Sequence, residues 1–261
     1  AALGYGANQP VTYSADASAP TVSSAAYDAD ANELSVTLSE PVQFDNITFT
    51  GISLSADNGG TGWTLTGGSV QESDDGTTMT INVVSADAIA IEQLTSRSTS
   101  LELWLAADVF LNQDDGGNAA LGYGADQSVS YSADATAPTI ASVTYMASTD
   151  KLAFVFSEAV RYDEVTPGSI SLSGDNGTSE VTLSGGSVDE SADGTTMTLS
   201  ILSADAIDIE QLTGRAASLE AALVAGAFKN QDNVNIGAVA YGDNQGVSYS
   251  ADISGPTVSS A

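Results

Sequence analysis

The chain is organised around the stretch VSYSADATAPT (Val129–Thr139), which occurs three times in slightly varied form. The other copies begin at Val11 and Val247, and their prolines give a repeat step of 138 − 20 = 118 residues. Each copy begins with alternating apolar and polar residues, as a strand does, and ends in a proline, which the middle of a sheet does not accept. The pattern predicts the closing strand of one domain, a short linker and the opening strand of the next.

Two repeat units of normal domain size fit into the chain. Residues 20–137 and 138–255 align without an insertion and are identical at 62 of 118 positions. The flanks are partial repeats, because 1–19 match the end of a unit and 256–261 match its beginning. We therefore predict four segments: the closing strand and linker of a preceding repeat at 1–19, domain 1 at 20–137, domain 2 at 138–255, and the start of a following repeat at 256–261.

Charge and composition exclude several functional classes. The 34 acidic and 5 basic residues leave a net charge of −29. Nucleic-acid binding needs clustered Lys and Arg, so nucleic acid is not expected as a partner. The absence of cysteine and histidine excludes disulfides, thiolate metal sites and the commonest catalytic base. No apolar run approaches the ~20 residues of a membrane-spanning helix, so we do not expect this segment to insert into a membrane.

Short alternating segments separated by turns predict an all-β fold. Leu34, Val36 and Leu38 share one face of a strand predicted at 33–40, and turns rich in Asp, Asn and Gly separate the further strands. One segment in each unit changes period and predicts a short helix, near 86–95 and 204–213. The expected fold is two tandem β-sandwich domains, each with one short helix.

Several motifs resemble the immunoglobulin-like repeats of prokaryotic surface-layer proteins, archaeal or bacterial, and of giant adhesins. They are the Ala-Pro-Thr linker, the strand end Ser39–Val42, the helix segment Ser85–Thr95 and the loop Asn112–Asn118. The resemblance covers both units. It implies immunoglobulin-like sandwiches, an extracellular location, and calcium associated with the linker Asp, the strand-end Glu and an Asp-x-x-Gly-Asn loop. Unit 1 is close to that loop pattern, whereas the counterpart Asp232–Ile236 lacks its glycine and its matching asparagine.

An immunoglobulin-like strand order brings oxygen-bearing residues to one end of each domain. The strand-end Glu, the linker Asp and the loop before the closing strand all belong to that end. Calcium takes about 6–8 oxygen ligands from carboxylates, amides and carbonyls, so we predict a Ca²⁺ site there. The predicted ligands are Asp16, Glu40, Asn112 and Asp114 in front of domain 1, and Asp134, Glu158, Asn230 and Asp232 in front of domain 2. The alternative is that these are ordinary polar loop residues.

Enzymatic activity is not expected. The turn Glu72–Asp75 offers paired carboxylates, as in glycosidases, but no aromatic sugar platform is near, and no serine has a histidine as base. Trp63 and Trp104 are not repeated in unit 2, which favours a packing role. We predict a structural segment of an extracellular lattice or fibre, whose partners are copies of itself or neighbouring repeats. The alternative is an adhesin-type module that binds a glycan or a partner protein through loops at one end.

Overall fold

The computed structural model describes residues 11–14, 18–56, 62–113, 123–232, 236–238 and 241–253. The chain divides into two compact units. Unit 1 takes the chain up to residue 28, 32–87 and 94–132, and unit 2 takes 29–31, 88–93 and 133 onward.

Unit 1 is an eight-stranded curled sheet within the described residues, with strand order β4-β3-β7-β8-β1-β2-β6-β5. Strand β8 pairs antiparallel with β7 through its first half and parallel with β1 through its second half, so it joins the two halves of the sheet. The elements are β1 Val22–Asp28, β2 Glu33–Val42, β3 Ile52–Ser55, β4 Gly62–Thr64, β5 Gly68–Val70, β6 Gly76–Val83, α1 Ser85–Glu92, α2 Arg97–Ser100, β7 Glu102–Leu105 and β8 Tyr123–Ser132.

Unit 2 repeats this architecture, with strand order β12-β11-β15-β16-β9-β10-β14-β13. Its elements are β9 Ile140–Met146, β10 Lys151–Val160, β11 Ile170–Ser173, β12 Glu180–Thr182, β13 Gly186–Val188, β14 Gly194–Ile201, α3 Ser203–Gln211, α4 Arg215–Ser218, β15 Glu220–Leu223 and β16 Tyr241–Ser250. Each described strand of one unit thus has a counterpart in the other. The prediction of all-β, sandwich-like domains is confirmed.

The core lies between the two halves of each curled sheet and is built by the alternation seen in the sequence. Leu34, Val36 and Leu38 of β2 are buried, as predicted. In unit 2, Phe154 and Phe156 of β10 both pack against Phe228, with ring centroids 4.9 and 4.8 Å apart. Each fully buried side chain of this size contributes about 1.5–3 kcal/mol to stability.

The sequence also predicts one further strand over 47–55, and this prediction is wrong in part. Only Ile52–Ser55 is a strand, and the residues before it form 3-10 turns at Phe44–Asn46 and Phe49–Gly51. The same two turns recur in unit 2 at Tyr162–Glu164 and Pro167–Ser169, where Ser169 stands in place of Gly51, so the interruption does not depend on the glycine. In both units a backbone hydrogen bond to the loop after the seventh strand holds this segment, from the Thr48 N–H to the Val109 carbonyl at 3.3 Å and from the Thr166 N–H to the Ala227 carbonyl at 3.0 Å.

Two further differences involve short elements. The pair Gly67-Gly68 is of the residue type that predicts a turn. Gly68 instead begins β5, where a Cβ would lie 2.8 Å from the Asn82 carbonyl oxygen. Each unit also has a second, four-residue helix, because Ser96 and its counterpart Gly214 have positive φ and break the helix before it.

The flanks give little structure to compare with the prediction. Residues 11–14, the described part of the expected strand at 9–14, are in no strand, and 256–261 lie outside the described residues. In the described part of the chain, no helix has the length and apolar character needed to cross a membrane.

Candidate functional site

The predicted site of unit 2 is built by a short backbone pairing between β10 and the loop after β15. Asn230 forms an antiparallel bridge with Val160, and the Gln231 N–H donates to the Ala159 carbonyl at 3.1 Å. Asn230 is thereby held beside Val160, which ends β10 and is two residues after Glu158. This pairing positions the strand-end Glu and the loop Asn together although 72 residues separate them.

The linker joins the same cluster through Asp134. Its backbone N–H donates to Asp232 Oδ2 at 2.9 Å, and its own Oδ1 accepts from the Thr136 N–H at 2.8 Å. Asp134 is only 7% exposed. The linker segment is therefore hydrogen-bonded to the body of unit 2 at the buried residue Asp134.

Asn230 lies at the centre of the cluster, with 1% of its surface exposed. Its Nδ2 donates to three oxygens: Asp134 Oδ2 at 2.7 Å, the Thr136 carbonyl at 3.2 Å and Glu158 Oε2 at 3.3 Å. Its Oδ1 accepts from the Asp232 N–H at 2.8 Å, which fixes the orientation of the amide. The structure thus brings together all four residues predicted for this site.

Glu158 is the electrostatically unusual member of this cluster. Burial raises the pKa of its carboxyl to about 8, and the hydrogen bond and negative charge of Asp134, followed by the charges of Asp30 and Glu92, add to the rise. Its Oε1 is buried and has no hydrogen-bond partner among the described residues. At neutral pH Glu158 therefore holds a proton in this arrangement.

The donor set of this cluster suits a hard cation in kind. Calcium binds carboxylate and carbonyl oxygens, and the oxygens of this cluster are largely buried. One of them, Glu158 Oε1, has no hydrogen-bond partner among the described residues. However, no group of three or more acidic residues within the described ranges is arranged to hold a metal. Instead, Asn230 Nδ2 donates hydrogen bonds to three of the oxygens that a cation would bind. The residues fit calcium in kind and burial, and a bound cation requires the Asn230 amide to turn.

Sequence reasoning missed one carboxylate beside the linker. Asp30 belongs to the segment 29–31, which is part of unit 2. Its Oδ1 accepts from the Thr136 N–H at 3.0 Å, the Thr136 hydroxyl at 2.5 Å and the Ala135 N–H at 3.3 Å. The Thr136 hydroxyl contributes most to lowering the Asp30 pKa. The available signal was that the acidic turn is not repeated, since Ser148 stands at the equivalent position.

Only half of the predicted site of unit 1 falls on described residues. Asn112 is 2% exposed and bridges Val42, which holds it near Glu40 in the same way. Its Nδ2 donates to the Ser18 carbonyl at 3.3 Å, the repeat equivalent of the Thr136 carbonyl. Asp16 and Asp114 lie outside the described residues.

The carboxylates considered for glycoside hydrolysis bond to the backbone. Asp75 Oδ1 accepts from the Phe44 N–H at 3.0 Å, and Glu72 Oε2 accepts from the Thr80 N–H at 2.8 Å. The counterparts Asp193 and Glu190 do the same in unit 2, accepting from Tyr162 and Thr198. The backbone hydrogen bonds give these acidic turns a structural role in shaping the loops.

Comparison with known proteins finds similar solved structures, but no family model and no curated protein matches the chain. One similar solved structure is the N-terminal part of the bacterial S-layer protein SbsC, with 14% identity, 45% of this chain and 22% of that chain covered, and a TM-score of 0.27. Another is the S-layer protein rSbsC(31-844), with 13% identity, 79% and 23% covered, and a TM-score of 0.31. This chain spans about a quarter of those proteins or less. At such TM-scores neither similarity carries an argument about fold or function.

Proposed function

We propose that this chain is a structural segment of an extracellular cell-surface array, in which immunoglobulin-like repeats follow one another and calcium stiffens the linker before each unit. The two-fold repeat with 62 identities in 118 positions supports a modular structural role. The acidic surface, with 34 carboxylates against 5 basic residues, supports a protein kept soluble by charge and attractive to cations.

The observation that carries the calcium part is the burial of the linker carboxylate in an oxygen-rich cluster. Asp134 and Asp232 are 7% and 8% exposed, and Glu158 of β10 shares the Asn230 amide with Asp134 as hydrogen-bond donor. Two carboxylates about 4 Å apart repel by roughly 4 kcal/mol at an effective dielectric near 20, and a divalent cation reverses the sign of that interaction. A proton on Glu158 relieves the repulsion in the absence of the cation, so the cation replaces that proton when it binds.

Calcium bound here would tie the linker to the body of unit 2. Three of the proposed ligands, Glu158, Asn230 and Asp232, belong to the body, and Asp134 belongs to the linker. An ion that binds only the folded form adds about 2.7 kcal/mol of stability when its free concentration is 100 times the dissociation constant. We therefore expect both a more stable unit 2 and a linker with fewer accessible conformations.

The test measures the full chain with calcium and with chelator. Thermal unfolding is expected to shift upward with calcium, and small-angle scattering is expected to give a narrower distribution of dimensions. Glu158→Gln should reduce both effects, because it removes a ligand charge and keeps the shape. The matched control is Glu180→Gln, which makes the same change at an exposed position on β12. Equal melting temperatures and scattering curves in both buffers would contradict the calcium proposal.

The array itself is tested separately. Electron micrographs of the concentrated chain, with and without calcium, are expected to contain a regular filament or lattice. Monodisperse particles under both conditions, together with retention on a glycan array, would favour a binding module and contradict the structural role.

A further inference from the structure

Unit 2 carries an Asn-x-Thr sequence at the tip of an exposed loop. Residues 174–179 connect β11 to the edge strand β12, and the motif is Asn176-Gly177-Thr178. Asn176 and Thr178 are both exposed, and the backbone at Asn176 has φ 60°, as at the tip of a tight turn. This sequence is the acceptor motif for N-linked glycans, which are placed on surface loops of secreted proteins.

Hydrogen bonds from both ends of the loop fix its backbone, and the side chain at its tip points to solvent. Ser173 Oγ accepts from the Gly177 N–H at 2.9 Å, and Asp175 Oδ1 accepts from the Ser179 N–H at 2.7 Å. The side-chain amide of Asn176 has no hydrogen-bond partner among the described residues. The acceptor nitrogen is therefore presented to solvent on a loop whose flanks are already fixed.

We infer that Asn176 is an acceptor for an N-linked glycan. The donor class is a lipid diphosphate-linked oligosaccharide and the catalyst is a membrane-bound oligosaccharyltransferase. A bond forms between Asn176 Nδ2 and the anomeric carbon of the sugar, and the bond from that carbon to the diphosphate oxygen breaks. The lipid diphosphate leaves with the bonding electrons, and the amide proton passes to a base of the transferase. No oxidant or reductant is required.

A second motif in the chain provides an internal comparison. Asn46-Ile47-Thr48 has the same residue types, and Asn46 is exposed. Its Nδ2, however, donates to Gln43 Oε1 at 2.7 Å, and Asn46 ends a 3-10 turn. The amide of Asn46 is engaged where that of Asn176 is free, so modification of the folded chain should occur first at Asn176.

The position of Asn176 gives the glycan a physical consequence. Strand β12 is an edge of the unit 2 sheet, and an edge strand offers unpaired backbone groups to other chains. A bulky hydrophilic group on the loop that leads into β12 hinders pairing at that edge. The counterpart in unit 1 reads Asn58-Gly59-Gly60 and lacks the hydroxyl residue, so the two repeats differ in this protection.

The experiment produces the full chain through a eukaryotic secretory pathway, which supplies the transferase and a dolichol diphosphate-linked oligosaccharide. A known secreted glycoprotein expressed in the same cells reports that the pathway is active. Glycopeptides are identified by their intact mass, because an Asn-Gly sequence deamidates on its own and would imitate enzymatic release. The expected result is a glycopeptide that contains Asn176.

Two variants separate the acceptor motif from an effect on folding. Thr178→Ala keeps Asn176 and should abolish its modification, whereas Thr178→Ser keeps the hydroxyl and should retain it. An unmodified Asn176 in the secreted wild-type chain, equal modification in Thr178→Ala, or occupancy at Asn46 alone would overturn the inference. The outcome does not depend on calcium or on array formation.

Discussion

The substitution Asp87→Ala tests how the acidic residues hold this fold. Asp87 is fully buried at the beginning of α1 and accepts hydrogen bonds from β4 and from the loop after it. Its donors are the Thr66 N–H at 2.7 Å, the Thr66 hydroxyl at 3.0 Å and the Trp63 indole N–H at 2.9 Å. Asp205 has the same role in unit 2, where its donors among the described residues are the N–H and the hydroxyl of Ser184, at 2.8 and 2.9 Å.

The magnitude follows from the number and type of these bonds. A hydrogen bond to a charged group contributes about 1.5–3 kcal/mol, and a buried donor left without a partner costs about 1–3 kcal/mol. Since bonds to one carboxylate are not additive, we expect Asp87→Ala to cost about 4 kcal/mol and Asp205→Ala about 3 kcal/mol. With a urea m-value of about 1–3 kcal/mol per molar, the midpoint of unit 1 should fall by roughly 1–4 M.

The chain contains its own reporter for this experiment. Both tryptophans, Trp63 and Trp104, lie in unit 1, so tryptophan fluorescence during urea unfolding follows that unit. Asp87→Ala should shift the fluorescence midpoint, whereas the control Asp205→Ala should shift only the far-ultraviolet circular dichroism. A double-mutant cycle with Trp63→Phe, read through Trp104, isolates the indole bond, for which we expect a coupling of about 1 kcal/mol.

Two results would refute the reasoning. A loss below about 0.5 kcal/mol for Asp87→Ala would place it among ordinary surface substitutions and would mean that the buried bonds add no net stability. A larger loss for Asp205→Ala than for Asp87→Ala would mean that the third donor has no effect. Asp87→Asn should fall between the wild type and Asp87→Ala, because one acceptor oxygen is kept.

Two further predictions concern protons and salt. The folded chain binds the Glu158 proton more tightly than the unfolded chain, so this contribution to stability is present below about pH 4.5 and is lost as pH rises through about 8. In chelator, the free energy of unfolding of unit 2 from urea titrations should therefore decrease as pH is raised from about 6 to about 9. The decrease should be less than about 1.4 kcal/mol per pH unit, because solvent screens the site. Glu158→Gln should make this free energy less dependent on pH. With a net charge of −29, unfolding temperature should rise with sodium chloride as the screening length shrinks from about 10 Å at 0.1 M to about 3 Å at 1 M, and an unchanged melt would contradict this.

The strands that bury one face could be predicted from the sequence, because in such a strand every second residue is apolar and points into the core. Leu34, Val36 and Leu38 alternate in the sequence, and they are buried in β2. The 3-10 turns before β3 could not be predicted in this way. In both units they are held by a hydrogen bond between residues 61 positions apart, from Thr48 to Val109 and from Thr166 to Ala227, and no local pattern encodes that contact.

The members of the linker cluster could be named from the family resemblance and strand direction, but their chemistry could not. Glu158 lies near the end of β10, and the sequence does not tell whether its carboxyl faces water or a buried neighbour. Its pKa is raised by burial and by the neighbouring Asp134, and both conditions exist only in the folded unit. Asp30 was missed for a related reason, since its contact with Thr136 joins residues 106 positions apart in the sequence.

The buried and half-buried carboxylates fall into two physical classes, and the distinction limits where a cation is needed. Asp87 and Asp205 each accept an N–H and a hydroxyl, while Glu72 and Glu190 accept backbone N–H groups, so these charges are satisfied by protein donors. Glu158, Glu102 and Glu220 each have a buried oxygen without a donor among the described residues. For Glu158, burial and the neighbouring carboxylate of Asp134 also raise the pKa. A proton or a cation is the remaining way to balance it. A search for calcium in this chain should therefore begin at the linker of unit 2 and not at the more conspicuous acidic turns.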